Sequence, residues 1–232
     1  MPKGFRALFN AKDLAGWYGW NPHSSVKLKD EKLAANLKQQ RVDFSKHWRV
    51  DGGELVNAGT GPYATTDAEF GDIELELDWK VAPQANSGVF YGVVEDPAGK
   101  SPIYATGPEY QLIDEDGWNG PLEAWQKSGA DYAMHPPRLK AVKRVGQWNH
   151  TRIVVKGTHV RLELAVDGSN GRAVDELLDD DRPVSLQFRG NRVTSGVGTR
   201  ETGRVHPLSL PLRPPESAAG RWIRWSLSRP PL

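Results

Sequence analysis

The stretch Ile73-Glu74-Leu75-Glu76-Leu77-Asp78-Trp79 decides the fold. Apolar and acidic residues alternate through it without a break. Successive side chains of a strand point to opposite faces, so Ile73, Leu75, Leu77 and Trp79 share one face and Glu74, Glu76 and Asp78 the other. This is the pattern of a half-buried antiparallel strand. It predicts the first set inside and the acidic set outside.

Working outward, Val89–Val94 and Glu109–Asp114 read as further strands. Thr151–Val155 and Val160–Leu164 flank Lys156-Gly157-Thr158-His159, a hairpin with Gly157 in the turn. Trp48-Arg49-Val50-Asp51-Gly52-Gly53-Glu54-Leu55-Val56 reads as two short strands about a Gly turn. Only Asp30–Lys46 has helical composition, and it reads as an exposed insertion. Short strands separated by Gly, Pro and Asn turns predict an all-β sandwich.

The chain has 232 residues, within the size of one sandwich domain, and is read as a single domain over 1–232. Residues 4–165 form its well-patterned part. From Asp167 the periodicity weakens, and 195–232, with its proline pairs, is expected to pack poorly. The segment 96–140 carries six prolines and reads as a long functional loop.

Thirty basic residues face 29 acidic ones, a balance that gives no reason to expect nucleic acid as partner. Cysteine is absent, which excludes disulfides, thiolate chemistry and Cys-ligated zinc. No apolar run reaches the roughly 18 residues of a membrane span. Met1–Phe5 leads directly into folded-looking sequence without a leader, which points to the cytoplasm if that start is authentic. Nine tryptophans suit flat platforms for sugar rings as well as a core.

Six ordered motifs carry a family resemblance. They are Gly4-Phe5-Arg6-Ala7-Leu8-Phe9-Asn10-Ala11-Lys12-Asp13-Leu14-Ala15-Gly16-Trp17, Trp48–Leu55, Thr65-Thr66 with Phe70–Leu75, Asn86-Ser87-Gly88-Val89, Glu109–Asp114 and Gly146-Gln147-Trp148-Asn149. Together they resemble the 3-keto-disaccharide hydrolase domain family over about residues 4–160. The resemblance implies a concanavalin A-like jelly roll of two antiparallel sheets, a carbohydrate ligand, and a periplasmic or secreted address. Val184–Val193 echoes a later family motif without its His, so the sandwich is expected to be incomplete at its C-terminal end.

The catalytic candidates are Glu109, Gln111, Asp114 and His135. Glu109 and Gln111 share a strand face, expected to be the concave one. Asp114 joins them only if the strand end turns it back. An amide is neither nucleophile nor base, so a Glu-x-Gln pair disfavours plain retaining hydrolysis. The resemblance implies a different requirement. In a 3-keto sugar the C2 proton is acidic, and cleavage needs one base and a polar partner. Glu109 fits as base and Gln111 as donor to the carbonyl or a hydroxyl. His135, in the long loop, is the reserve base. Asn86, Trp118, Trp125 and Tyr132 are the substrate-binding candidates. No metal ligand set is assigned. Asp114-Glu115-Asp116-Gly117 is superficially similar to a calcium loop but lacks the bidentate Glu, which leaves a divalent cation such as calcium an open question. Two other functions compete with an enzyme: a non-catalytic carbohydrate-binding module, and a structural or protein-interaction sandwich.

Overall fold

The computed structural model describes residues 5–94 and 107–164, and the backbone of three further strands at 173–177, 184–189 and 193–201. Two antiparallel sheets stack as a β-sandwich around a shared core. In the larger, β11 (Ala173–Leu177), β10 (His159–Leu164), β9 (Asn149–Lys156), β6 (Ile73–Val81), β13 (Val193–Glu201), β4 (Glu54–Asn57) and β3 (Trp48–Asp51) lie side by side. The short β1 (Phe5–Ala7) also pairs with β13. In the smaller, the order is β2 (Trp17–Trp20), β5 (Tyr63–Phe70), β12 (Val184–Arg189), β7 (Asn86–Val93) and β8 (Glu109–Ile113).

Strand β6 behaves as its alternation demands. Ile73, Leu75, Leu77 and Trp79 are essentially inaccessible in the core between the sheets. Each such side chain contributes roughly 1.5–3 kcal/mol of burial. Trp79 also donates from Nε1 to Thr151 Oγ1 at 2.8 Å, so its one polar atom is satisfied. Glu74 is buried as well, but on the outer side, where Arg152 Nε meets its Oε1 at 2.6 Å. Arg152 continues to Glu163 at 3.3 Å, and Glu163 to Arg161 at 2.7 Å.

Both expected hairpins are present. β9 and β10 turn at Gly157 (φ 53°), β3 and β4 at Gly52 and Gly53 (φ 59° and 83°), conformations that suit residues without a Cβ.

Two expectations change. The helical segment, Asp30–His47, is more than an exposed insertion, because it seals the edge of the smaller sheet at β2. Phe44 is buried in the main core, and Arg41 stacks over the Tyr18 ring at 4.0 Å. A Cβ on Gly19 would lie 2.6 Å from the Gln40 carbonyl oxygen, so the helix can approach β2 this closely only at a glycine. The closing strands are also present. β12 lies between β5 and β7, and β13 between β6 and β4. Pairing on both sides makes a strand of Val193–Glu201 despite its weak pattern and two glycines. The expectation that 195–232 packs poorly thus meets a strand at 195–201, while 202–232 lie outside the described residues. Among the described residues, no helix is long and apolar enough to cross a membrane.

Candidate functional site

The site is built on the outer face of the smaller sheet, at β7 and β8. Tyr110 and Leu112 of β8 point into the core, so Glu109 and Gln111 point the other way. Burial of all five β8 residues follows because both faces are covered. Tyr110 donates to or accepts from Thr151 Oγ1 at 2.9 Å, and burial pushes its hydroxyl ionisation well upward.

The cover over the edge of β8 is a strap from residues 126 to 135. Gln111 N donates to the Ala130 carbonyl, Gly129 N to the Gln111 carbonyl, and Tyr132 N to the Glu109 carbonyl. The strap therefore extends the sheet by one irregular strand. Asp131 stands opposite Tyr110, so Ala130 and Tyr132 alternate to the Glu109–Gln111 side. Tyr132 packs edge-on against Trp125 with ring centroids 5.3 Å apart, and both rings are half-exposed.

Cross-strand register places Gly88 beside Gln111, Phe90 beside Glu109 and Asn86 beside Ile113. The Glu109 side chain lies down across Gly88: a Cβ there would meet its Cγ at 2.5 Å and its Cδ at 2.6 Å. Gly88 lies within β7 rather than in a turn ahead of it, so its role here is space, not backbone freedom. On its other side Gly88 pairs in register with Arg189 of β12.

Gln111 is fully buried and its amide is oriented. Nε2 donates to the Gln126 carbonyl at 3.1 Å and, at 3.5 Å, faces Asn86 Oδ1. Its Oε1 accepts no hydrogen bond among the described residues. The donor expected of Gln111 is thus already engaged, and an acceptor is what it offers. Further along the same face, β2 and β5 contribute Trp20 and Tyr63, the latter stacked on Phe90 at 6.1 Å. The indole Nε1 of Trp20 and Oγ1 of Thr65 are buried there without partners among the described residues.

Asp114, His135 and Trp118 are not drawn into these contacts. Asp114 does not turn back to Glu109. Its Oδ2 accepts from Gln84 N at 2.8 Å and its Oδ1 from Gly117 N at 2.9 Å, which makes it the clasp of the strand end. His135 is exposed, and its backbone pairs with Asp131. Trp118 is half-buried in the turn after Asp114. The carboxylates that looked like a calcium loop are otherwise engaged. Glu115 accepts from Ser128 N, and Asp116 pairs with Lys140 at 2.7 Å. Burial raises the Glu115 carboxyl above its ordinary range, and the Lys140 hydrogen bond lowers that of Asp116. Among the described residues, no three His, Cys, Asp or Glu side chains converge as a metal set.

Sequence reading missed Asp131. It is completely buried, and neither carboxyl oxygen has a hydrogen-bond partner among the described residues. The Ser128-Gly129-Ala130-Asp131-Tyr132 stretch carries little strand pattern, so nothing local announced that it would pair with β8.

Residues 4–197 match the family of the 3-keto-alpha-glucoside-1,2-lyase-like domain. The chain belongs to this family. The match runs past residue 160, where the motifs were expected to stop, and takes in β11, β12 and part of β13. A 3-keto-disaccharide hydrolase of Bacteroides thetaiotaomicron is 30% identical over an alignment of 179 residues that covers 68% of this chain and 54% of that protein. The chain thus spans about half the length of this curated relative. A crystal structure of a "putative glycosyl hydrolase" from Parabacteroides distasonis superposes with a TM-score of 0.65 at 28% identity, covering 87% of this chain and 95% of that one. A second structure so described from the same organism has a TM-score of 0.60 at 21% identity, over 85% and 99% of the two chains, and bears on the fold alone. In this member of the 3-keto-alpha-glucoside-1,2-lyase-like domain family, β8 is the last strand of the smaller sheet and lies next to the strap.

Proposed function

We propose that this protein cleaves the glycosidic bond of 3-keto-glycosides, with Glu109 as the base. The observation that carries the reading is the placement of Glu109. It is a 94% buried carboxylate laid on a sheet floor that lacks a side chain at Gly88, next to an oriented amide at Gln111. A covered carboxylate fixed by its neighbours is what proton abstraction requires, and a flat binding platform has no use for one. The family and the name of the curated relative supply the substrate class.

The step balances without any oxidant or reductant. Glu109 takes the C2 proton, and the C–H electron pair passes to the C3 oxygen. When that oxyanion collapses back to the ketone, the electrons form the C1–C2 double bond and expel the C1 oxygen. The departing sugar oxygen takes up a proton, and water then adds across C1–C2. A single carboxylate suffices, in keeping with a Glu-x-Gln pair. Trp125 and Tyr132, edge to face at the rim, offer faces for the sugar rings.

The test is incubation with a 3-keto-disaccharide and with its unoxidised parent, with and without chelator, following sugar release. The reading expects release from the keto sugar alone. Binding of both sugars with release from neither would support a carbohydrate-binding module instead.

A further inference from the structure

The elimination makes a demand that Gln111 does not meet. When Glu109 takes the C2 proton, negative charge arrives on the C3 oxygen. Such an oxyanion is stabilised by a donor or cation placed there beforehand. Gln111, the expected donor, has its Nε2 committed to the Gln126 carbonyl.

Strand β12 brings a cationic residue to the base. Phe188 pairs in register with Ala64 of β5 and with Val89 of β7, and both partners belong to the core. Cross-strand partners share a face, so position 188 is on the core side and position 189 on the outer side. The register partner of Arg189 is Gly88, and the space above Gly88 holds the Glu109 carboxylate. One row across the sheet therefore runs Gln111, Gly88, Arg189, with the carboxylate over the middle position. Glu109 Oε1 is 2.0 Å from where a Gly88 Cβ would stand, which leaves it about one strand spacing from the Arg189 backbone position. That interval is shorter than an arginine is long.

The sheet offers no competing cation. Among the described residues, its five strands contain no other Lys, Arg or His. Arg41 of the helix is taken up at the far edge, over the Tyr18 ring at 4.0 Å. Lys127 of the strap acts on Glu115.

We propose that Arg189 is a further catalytic residue, the cation that holds the C3 oxyanion while Glu109 holds the C2 proton. The inference rests on the reading of the site as one for 3-keto-glycosides. Arginine keeps its charge at every working pH, so Arg189 stays protonated throughout and the balance of the elimination is unchanged. The oxyanion exists only once the proton is leaving, so holding it lowers the barrier without tightening substrate binding.

Two measurements on Arg189→Met test this, beside a thermal melt. One is steady-state sugar release from a 3-keto-disaccharide. The other is exchange of the C2 proton for deuterium in a 1-deoxy-3-keto sugar, followed by NMR. That analogue has no leaving group, so exchange reports enolate formation alone. The variant is expected to lose about 10²–10³-fold in kcat with KM nearly unchanged, the scale of one oxyanion donor. Exchange should fall in parallel, and added guanidinium ion should restore part of both, which a merely structural role would not allow. Wild-type kcat in folded Arg189→Met, a loss confined to KM, or a loss of kcat with exchange intact overturns the proposal and leaves the function standing. A wild-type protein that neither releases sugar nor exchanges the C2 proton overturns the function, and the proposal with it. Arg189→Gln, which keeps a polar side chain and loses the charge, decides between these outcomes if Arg189→Met does not fold.

Discussion

Glu109 lies against Gly88 so closely that a Cβ on the glycine would sit 2.0 Å from the carboxylate Oε1. No real Cβ contact is that short, so any side chain at residue 88 must displace the carboxylate. Gly88→Ala is therefore expected to keep the sandwich and to lose turnover by about 10²-fold, the scale of an ångström-sized misplacement of a reacting group. Steady-state kinetics with a 3-keto-disaccharide, alongside a thermal melt, checks this. Full activity in a folded Gly88→Ala protein would show that the position of Glu109 does not matter.

The direct test of the base is Glu109→Gln. The amide fills the same space over Gly88 but cannot take a proton. Turnover should fall about 10²–10⁴-fold while sugar binding persists. His135→Ala should leave turnover unchanged, because the residue is exposed and is tied to the strap through its backbone, at Asp131. Near wild-type rates in Glu109→Gln would remove Glu109 from the chemistry.

The parts of this site that were readable in the sequence are those governed by strict alternation. Glu-Tyr-Gln-Leu-Ile at 109–113 announces which residues share a face, and Ile73–Trp79 announces the core. What was not readable depends on contacts distant in sequence. Gly88 is only part of a motif until β8 is laid beside it. The Gln111 donor looks available until Gln126 arrives from the strap. Asp114 looks catalytic until Gln84 and Gly117 are found on its two oxygens. β13 has no usable period of its own, and its partners, β6 and β4, hold it in place.

This last point has a consequence for truncation. β12 and β13 lie inside the two sheets, not at their edges. A chain ending at Leu164 would open the smaller sheet between β5 and β7 and the larger between β6 and β4, and with β11 and β13 gone would leave unpaired backbone on β1, β4, β5, β6, β7 and β10. Such a fragment should be insoluble or unfolded by circular dichroism, although it contains every expected motif. A fragment that melts cooperatively would show that the first 164 residues carry the fold unaided.

On the outer face of the larger sheet, His150 Nδ1 meets Asp78 Oδ1 at 2.9 Å. The hydrogen bond to Asp78 raises the imidazole above its ordinary value, with burial working against it and the Asp78 charge adding to it. A base raised in the folded state contributes stability that is complete below the unfolded value of about 6.5 and is lost as pH climbs through the folded one. The pair is partly exposed, so solvent screening keeps the contribution under about 1 kcal/mol. Denaturant titrations from pH 5 to 9 should show His150→Gln flattening this decline. An unchanged slope would remove the pair from the pH response.

Asp131 carries the strongest stability prediction. Both oxygens are buried, without a hydrogen bond among the described residues, directly opposite Tyr110. A charge in that position receives no repayment of its desolvation cost from the described residues. Asp131→Asn keeps the shape, removes the formal charge and leaves the backbone bonds to His135 in place. If Asp131 serves only the fold, the substitution should raise stability at neutral pH by about 1–3 kcal/mol. Because Tyr132 and its bond to the Glu109 carbonyl follow directly in the strap, turnover measured on the same protein separates the two uses of this residue. A more stable protein with intact turnover marks Asp131 as a cost of the strap. A more stable protein with lost turnover marks the charge as one retained for the site at the expense of the fold. A less stable protein would overturn the prediction, since it would mean that the carboxylate is compensated in the folded state after all.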